Sequence, residues 1–93
     1  MKWQVILSPK VQSALKSLPP ETKQYIRRAL EDIVLDPEVG KSLRDELTGL
    51  HSFRVKRFRI VYQIRRHTIT VIIIGIGKRE TIYEDVLLLG DID

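Results

Sequence analysis

The spacing of apolar positions changes along this chain from a short run, to a helical repeat, to alternation, and finally to a continuous stretch. Trp3 to Leu7 is a β-branched and aromatic run that reads as a first strand. Ser8 followed by Pro9 is a helix start, with serine as N-cap and proline at the first helical position. Val11, Ala14, Leu15 and Leu18 then recur at helical spacing, which predicts a helix from about Pro9 to Ser17. Pro19 and Pro20 end it, and Pro20 can open a second helix. There Tyr25, Ile26, Ala29, Leu30, Ile33 and Val34 form one apolar stripe, and Asp36-Pro37 stops it. These two segments read as an antiparallel helical hairpin laid on a sheet. Residues 38–50, punctuated by Gly40 and Gly49, read as a loop with one helical turn at most.

From Ser52 or Phe53 the period becomes two. If residues 53–55 and 58–64 form a hairpin, Phe53 pairs with Ile60 and Arg54 with Arg59. Phe53, Phe58, Ile60, Tyr62 and Ile64 then share one face, and the two arginines lie opposite each other on the other. Lys56-Arg57 is poor chemistry for a two-residue turn, which favours a longer loop from Val55 to Phe58. Residues 65–68 make a second turn. TITVIIIGIG, residues 68–77, is apolar on both faces and reads as an interior strand with helices on one side. Thr81-Ile82-Tyr83-Glu84 is a capping-box pattern before Val86 to Leu89, predicting a short last helix with Tyr83 in its first turn. The fold class that follows is α+β in a single domain, residues 1–93. An N-terminal strand and a two-helix hairpin pack on a twisted, mainly antiparallel four-stranded sheet, with a short C-terminal helix.

Composition fits this picture: 93 residues, 43% hydrophobic and 30% charged, suit one modest core. The absence of cysteine excludes disulfides and thiolate metal sites. The N-terminal apolar run is too short for a signal peptide, and no stretch is long enough to span a membrane, so a cytoplasmic protein without membrane contact is expected. The formal net charge is +4, and its distribution says more than its size. Acidic residues run from Glu21 to Glu46 and then vanish until Glu80. Between them lie Arg54, Lys56, Arg57, Arg59, Arg65, Arg66, Lys78 and Arg79, interleaved with the sheet core. Arg54 opposite Arg59 costs the sheet roughly 0.2–1 kcal/mol, and nothing in the fold offsets it. A polyanion would.

A solvated basic face is the competing reading. Against it stand the cross-strand arginine pair, the lack of nearby counter-charge, and Tyr83 close downstream. Arginine clamps phosphate and stacks on bases, and tyrosine adds a stacking surface for a single-stranded nucleobase. RNA cleaves when its 2′-hydroxyl is deprotonated and attacks the adjacent phosphorus, which needs a base, an acid and cations for the phosphate. Arginine is too basic to serve as base. Crowding of Lys56 by Arg54, Arg57 and Arg59 makes it the candidate, with Arg59 and Arg79 on the phosphate. His67 reads as a solvated turn residue; His51 reads as structural, with a place at the rim of the site as the alternative. The acids and histidines do not cluster at metal-ligand spacing, and Gly75-Ile76-Gly77 lacks the rest of a nucleotide-binding loop, so neither metal nor cofactor is expected.

LTGLHSFRVKRFRIVYQI, the later IGIGKRETIY and the front end SPKVQSALKSLPPETKQYIRRALEDI together resemble the RelE branch of the RelE/ParE toxin superfamily. The resemblance covers nearly the whole chain. It implies a toxin of a type II toxin–antitoxin system that acts as a metal-independent, ribosome-dependent endoribonuclease on mRNA in the ribosomal A site, among ribosomal RNA. It also implies a small cognate antitoxin, RelB-like, that wraps the toxin and displaces or covers the terminal helix. By position, Arg54 and Lys56 match the family's first pair of basic residues, Arg59 its phosphate-binding arginine, Arg79 the arginine that stabilises leaving-group charge, and Tyr83 the tyrosine that stacks on or orients substrate. Lys56, Arg59, Arg79 and Tyr83 are therefore expected to carry catalysis, and Arg54, Arg57 and Lys78 to hold RNA phosphate. This chain departs from the best-studied branch at Arg54, where that branch has lysine, in its short turn before Arg59, and in the close spacing of Arg79 and Tyr83. The alternatives are a ParE-like poison of DNA gyrase on the same scaffold and a non-catalytic basic RNA-binding domain.

Overall fold

The Ser8 hydroxyl accepts a hydrogen bond from the Val11 amide at 3.2 Å and starts helix α1, Pro9–Ser17, as its cap chemistry predicts. In this computed structural model, which describes residues 3–78 together with Ile82 and Tyr83, Pro20 opens helix α2, Pro20–Leu35. The Asp36 amide bonds back to the Asp32 carbonyl, while the Asp36 carboxylate accepts from the Glu38 amide at 3.1 Å and starts a 3-10 turn over Pro37–Val39. Each helix buries the stripe its spacing announced: Val11 from α1, and Ile26, Ala29 and Ile33 from α2.

The five strands are β1 (Gln4–Leu7), β2 (Lys41–Ser42), β3 (Leu50–Val55), β4 (Phe58–Arg65) and β5 (Thr70–Lys78). They lie in the order β1-β5-β4-β3-β2, with β1 parallel to β5 and the other pairs antiparallel. The helices cover one face. There Val11, Ile26, Ala29 and Ile33 pack on Ile60, Tyr62, Val71 and Ile73, with Phe53, Val55, Phe58, Ile64 and Ile76 around them. Phe53 pairs with Ile60 and Arg54 with Arg59, the register expected of a hairpin closed between Val55 and Phe58.

Three expectations need correction. The sheet has five strands rather than four, because residues 38–50 contain β2 between two 3-10 turns, Pro37–Val39 and Asp45–Leu47. Two exposed polar residues carry no hydrophobic period, so β2 exists only through its pairing with His51 and Ser52. The segment is tied down by Tyr62, whose fully buried hydroxyl donates to the Pro37 carbonyl at 2.6 Å and accepts from the Gly40 amide at 3.0 Å. A Cβ on Gly40 would meet that hydroxyl at 2.3 Å, so only glycine fits there. Second, β3 begins at Leu50, not at Ser52 or Phe53. Third, the hairpin closes through the two-residue turn Lys56-Arg57, with Val55 paired to Phe58. Lys56 adopts a left-handed φ of 56°, and its ammonium sits 4.5 Å from the centre of the Tyr25 ring on α2. That attraction, roughly 0.5–1 kcal/mol at an exposed site, offsets part of the unfavourable turn conformation. The last predicted helix lies outside the described residues apart from Ile82 and Tyr83, which are helical.

Candidate nucleic-acid interface

Side chains alternate across β3 and β4, so the strands divide the basic stretch between two faces. Ser52 and Arg54 of β3 and Arg59 and Val61 of β4 point away from the helices, because their neighbours Phe53, Phe58 and Ile60 enter the helix-side core. On this outer face Leu50, Val61, Ile74 and Ile82 form a second, smaller core, flanked by Leu43, Leu47, Ile72 and Tyr83. A bulge in β5 makes it possible. Val61 pairs with Gly75 and Tyr62 with Ile73, leaving Ile74 as the extra residue. The shift puts Gly77 opposite Arg59, with the Ile82 side chain packed close over it.

Arg54 and Arg59 therefore stand side by side on the outer face, as the sequence required. Arg59 lies over the Tyr83 ring, 5.9 Å from its centre, and its Nε is buried without a hydrogen-bond partner among the described residues. Tyr83 is fixed from below, its hydroxyl donating to the hydroxyl of buried Ser52 at 3.2 Å. Arg54 is exposed and donates from Nε to the Lys56 carbonyl at 3.3 Å. Neither arginine forms an ion pair among the described residues. Two guanidinium groups and an aromatic face, with no carboxylate paired to them among the described residues, can take up a phosphate and a stacked base.

The other predicted residues are placed differently. Lys56 leaves the turn toward the helices and rests on Tyr25, so it does not join the arginine pair in this conformation. Arg57 is exposed at the tip of the same turn. Lys78 is exposed and pairs with Phe58, on the helix side of the register. Arg79 lies outside the described residues. Among the described residues no group of three or more His, Cys, Asp or Glu side chains is arranged to hold a metal ion, and no helix is long and apolar enough to cross a membrane.

His51 belongs to a separate cluster on the helix side, at the β2 edge. Its ring stacks on Tyr62, with centres 5.5 Å apart, and its Nε2 lies 3.4 Å from the Ser42 hydroxyl and 3.8 Å from Glu38. Glu38 is also bound by Arg66. Burial pushes the His51 imidazole below its ordinary pKa, and the nearby Glu38 carboxylate only partly opposes this. The hydrogen bond from Arg66 holds the Glu38 carboxyl below its ordinary range. Burial raises the Tyr62 phenol. His67 is exposed in the turn Arg66–Thr68.

The residue that sequence reasoning passed over is Ser52. Its signal was parity: a small polar residue two positions before Arg54 lies on the same face, where it can anchor whatever covers that face.

Residues 5–83 match the model of the family described as ParE toxin of type II toxin-antitoxin system, parDE. The chain is 33% identical over 85 residues to Toxin RelG of Mycobacterium tuberculosis, an alignment covering 89% of this chain and 98% of that protein. Its fold is similar to the toxin–antitoxin complex RelBE2 of Mycobacterium tuberculosis, with a TM-score of 0.77 at 31% identity over 85% of this chain and 100% of that one. It is also similar to a variant of the E. coli toxin RelE in the free state, with a TM-score of 0.79 at 15% identity over 98% of this chain and 100% of that one.

Proposed function

This chain belongs to the RelE/ParE superfamily and is a toxin of a type II toxin–antitoxin system, and from that premise we propose that it cleaves mRNA on the ribosome without a metal. The observation that carries the reading is the outer-face constellation of Arg54, Arg59 and Tyr83, with Tyr83 held on Ser52 and the Arg59 Nε unpartnered among the described residues. In the proposed reaction the 2′-hydroxyl oxygen of one nucleotide attacks the adjacent phosphorus. The 2′-hydroxyl proton passes to the base, a cyclic phosphate forms, the bond to the next nucleotide's 5′-oxygen breaks, and that oxygen takes up a proton from solvent. Arg54 and Arg59 hold the phosphate as negative charge builds in the transition state, Tyr83 stacks on or orients the substrate, and Arg57 and Lys78 receive the flanking backbone. Arg79 is proposed to stabilise the leaving group.

Lys56 is proposed as the base, in which case it must leave the Tyr25 ring when RNA enters. The attraction it gives up is worth about 0.5–1 kcal/mol, so the swing is energetically accessible. The partners of this reading are mRNA and ribosomal RNA in the A site and a small RelB-like antitoxin. Complexes with an antitoxin are formed by several of the similar toxins, among them RelBE2 and the E. coli RelBE pair.

A second reading, poisoning of DNA gyrase, is favoured by the match to a family described as ParE toxin. Expression of the chain followed by primer-extension mapping of translated mRNA separates the two. Codon-phased cuts support mRNA cleavage. DNA breaks without mRNA cuts would move the chain to the ParE activity, and neither effect would leave a non-catalytic RNA-binding domain.

A further inference from the structure

Lys56 stands at a boundary between the two faces of the sheet. It opens the turn joining β3 to β4, strands that carry Arg54 and Arg59 on the outer face and Phe53, Phe58 and Ile60 on the helix side. Its side chain is exposed and forms no ion pair among the described residues, so its flexible four-carbon stem can carry the ammonium to either face. In the free chain the ammonium lies on the helix side, 4.5 Å from the centre of the Tyr25 ring. Tyr25 is a fixed platform. It is half-buried against the main core, and its ring is tilted at 53° to that of Phe58 with 6.3 Å between centres. Phe58 pairs with Val55 to close the turn, so the same packing builds the turn and the surface on which its lysine rests. From the other side, Arg54 Nε donates to the Lys56 carbonyl at 3.3 Å and holds the turn backbone. Moving the ammonium between the faces therefore needs only rotation about side-chain bonds, a fast motion in an exposed residue.

We propose that Tyr25 is a positioning residue for the cleavage: it parks Lys56 on the helix side while the outer face is empty and releases it when RNA phosphate arrives. The inference rests on the nuclease reading with Lys56 as base, and deepens it by naming the group that controls when the base is in place. The charges supply the switch. With the outer face empty, an outward Lys56 would join two guanidinium groups that have no carboxylate paired to them among the described residues. The negative face of the Tyr25 ring offers the ammonium a better place. A bound phosphodiester offsets the arginine charge and attracts the ammonium. It does so only in the outward state, and that difference between states is what lets a ligand shift the balance. The ring contact biases the parked state by about two- to fivefold at an exposed site, a readily reversible hold.

The test uses the purified full chain on ribosomes programmed with a defined mRNA. Wild type is compared with Tyr25→Leu, which keeps apolar packing against Phe58 but removes the ring face, and with Tyr25→Phe, which keeps that face. Because release accompanies RNA binding and precedes chemistry, Tyr25→Leu should lower KM about two- to fivefold with kcat unchanged. Tyr25→Phe should match wild type. A merely structural tyrosine would give the opposite, a loss of cleavage in Tyr25→Leu that follows its loss of stability. In the free chain the Lys56 ε-methylene proton resonance should lie upfield, in the ring current, for wild type and Tyr25→Phe, and at its ordinary position for Tyr25→Leu. Unchanged KM and kcat in Tyr25→Leu would overturn the inference while leaving the nuclease reading in place. A raised kcat at unchanged KM would contradict release on binding. If Lys56→Ala cuts mRNA at the wild-type rate, or if wild type cuts none, the reading beneath falls and takes this inference with it.

Discussion

The two faces of the sheet are built from the same strands and obey opposite rules. On the helix side, alternate residues of β4 are Phe58, Ile60, Tyr62 and Ile64, all committed to the main core. On the outer side the intervening residues include Arg59, Val61, Gln63 and Arg65, with only a small apolar cluster beneath Tyr83. The helix face packs its apolar side chains on one another and leaves one imidazole nitrogen, His51 Nδ1, buried and unpaired among the described residues, whereas the outer face sets two cations, Arg54 and Arg59, against each other and leaves a charged guanidinium nitrogen buried and, among the described residues, unpaired. The first arrangement is what folding alone selects. The second makes sense when a ligand supplies the missing negative charge.

Substitutions can break that contrast from either side. Ile60→Ala removes a fully buried side chain from the main core and should cost about 2–5 kcal/mol, read by denaturant unfolding, with activity lost only because the protein unfolds. Tyr62→Phe leaves the Pro37 carbonyl and the Gly40 amide without their partner. It should cost about 1–3 kcal/mol and loosen residues 37–42, visible as faster amide exchange there. Arg54→Thr should go the other way in stability, gaining roughly 0.2–1 kcal/mol by relieving like-charge repulsion, while mRNA cleavage drops about tenfold or more. A loss of stability with full cleavage would erase the distinction between the faces.

The smallest expected effect concerns pH. The His51 pKa is depressed in the folded chain below its ordinary 6.5, so the unfolded chain takes up the proton first as pH falls. The associated stability is present above about pH 6.5 and is lost as pH drops below it. Glu38, also depressed, acts in the same direction but lower, as pH falls below its ordinary 4.5. His51→Gln should therefore flatten the decline in stability as pH falls below about 6.5, measured by denaturation midpoints. An unchanged slope would mean that the imidazole titrates alike in both states.

The pattern of legibility follows from which signals are local. The bounds of α1 and α2 could be read because Ser8, Pro9, Pro20 and Asp36-Pro37 act within a residue or two of the ends they set. The opposition of Arg54 and Arg59 could be read because either way of closing the hairpin, at Lys56-Arg57 or over Val55 to Phe58, sets the same register, and the period of two then assigns the faces. Three features were hidden because they depend on distant partners. Strand β2 is held by β3 and by a tyrosine hydroxyl more than twenty positions away. The bulge at Ile74 is a response to pairing with β4. Lys56 is turned aside by Tyr25, a helix residue whose approach no spacing rule anticipates. Arg54, Lys56, Arg57 and Arg59 look like one cluster of cations along the chain, and the pleat and the turn separate them.

The central claim is that the outer face exists for a polyanion, and Arg59→Gln tests it most directly. The substitution keeps part of the side chain's length and removes its charge. Relief of the cross-strand repulsion and loss of the cation–π attraction to Tyr83 are each about 0.2–1 kcal/mol and largely cancel. The unfolding free energy should therefore stay within about 1 kcal/mol of wild type. Cleavage of mRNA on programmed ribosomes should fall about 10²–10³-fold. A folded Arg59→Gln protein that cuts mRNA at the wild-type rate would contradict the claim.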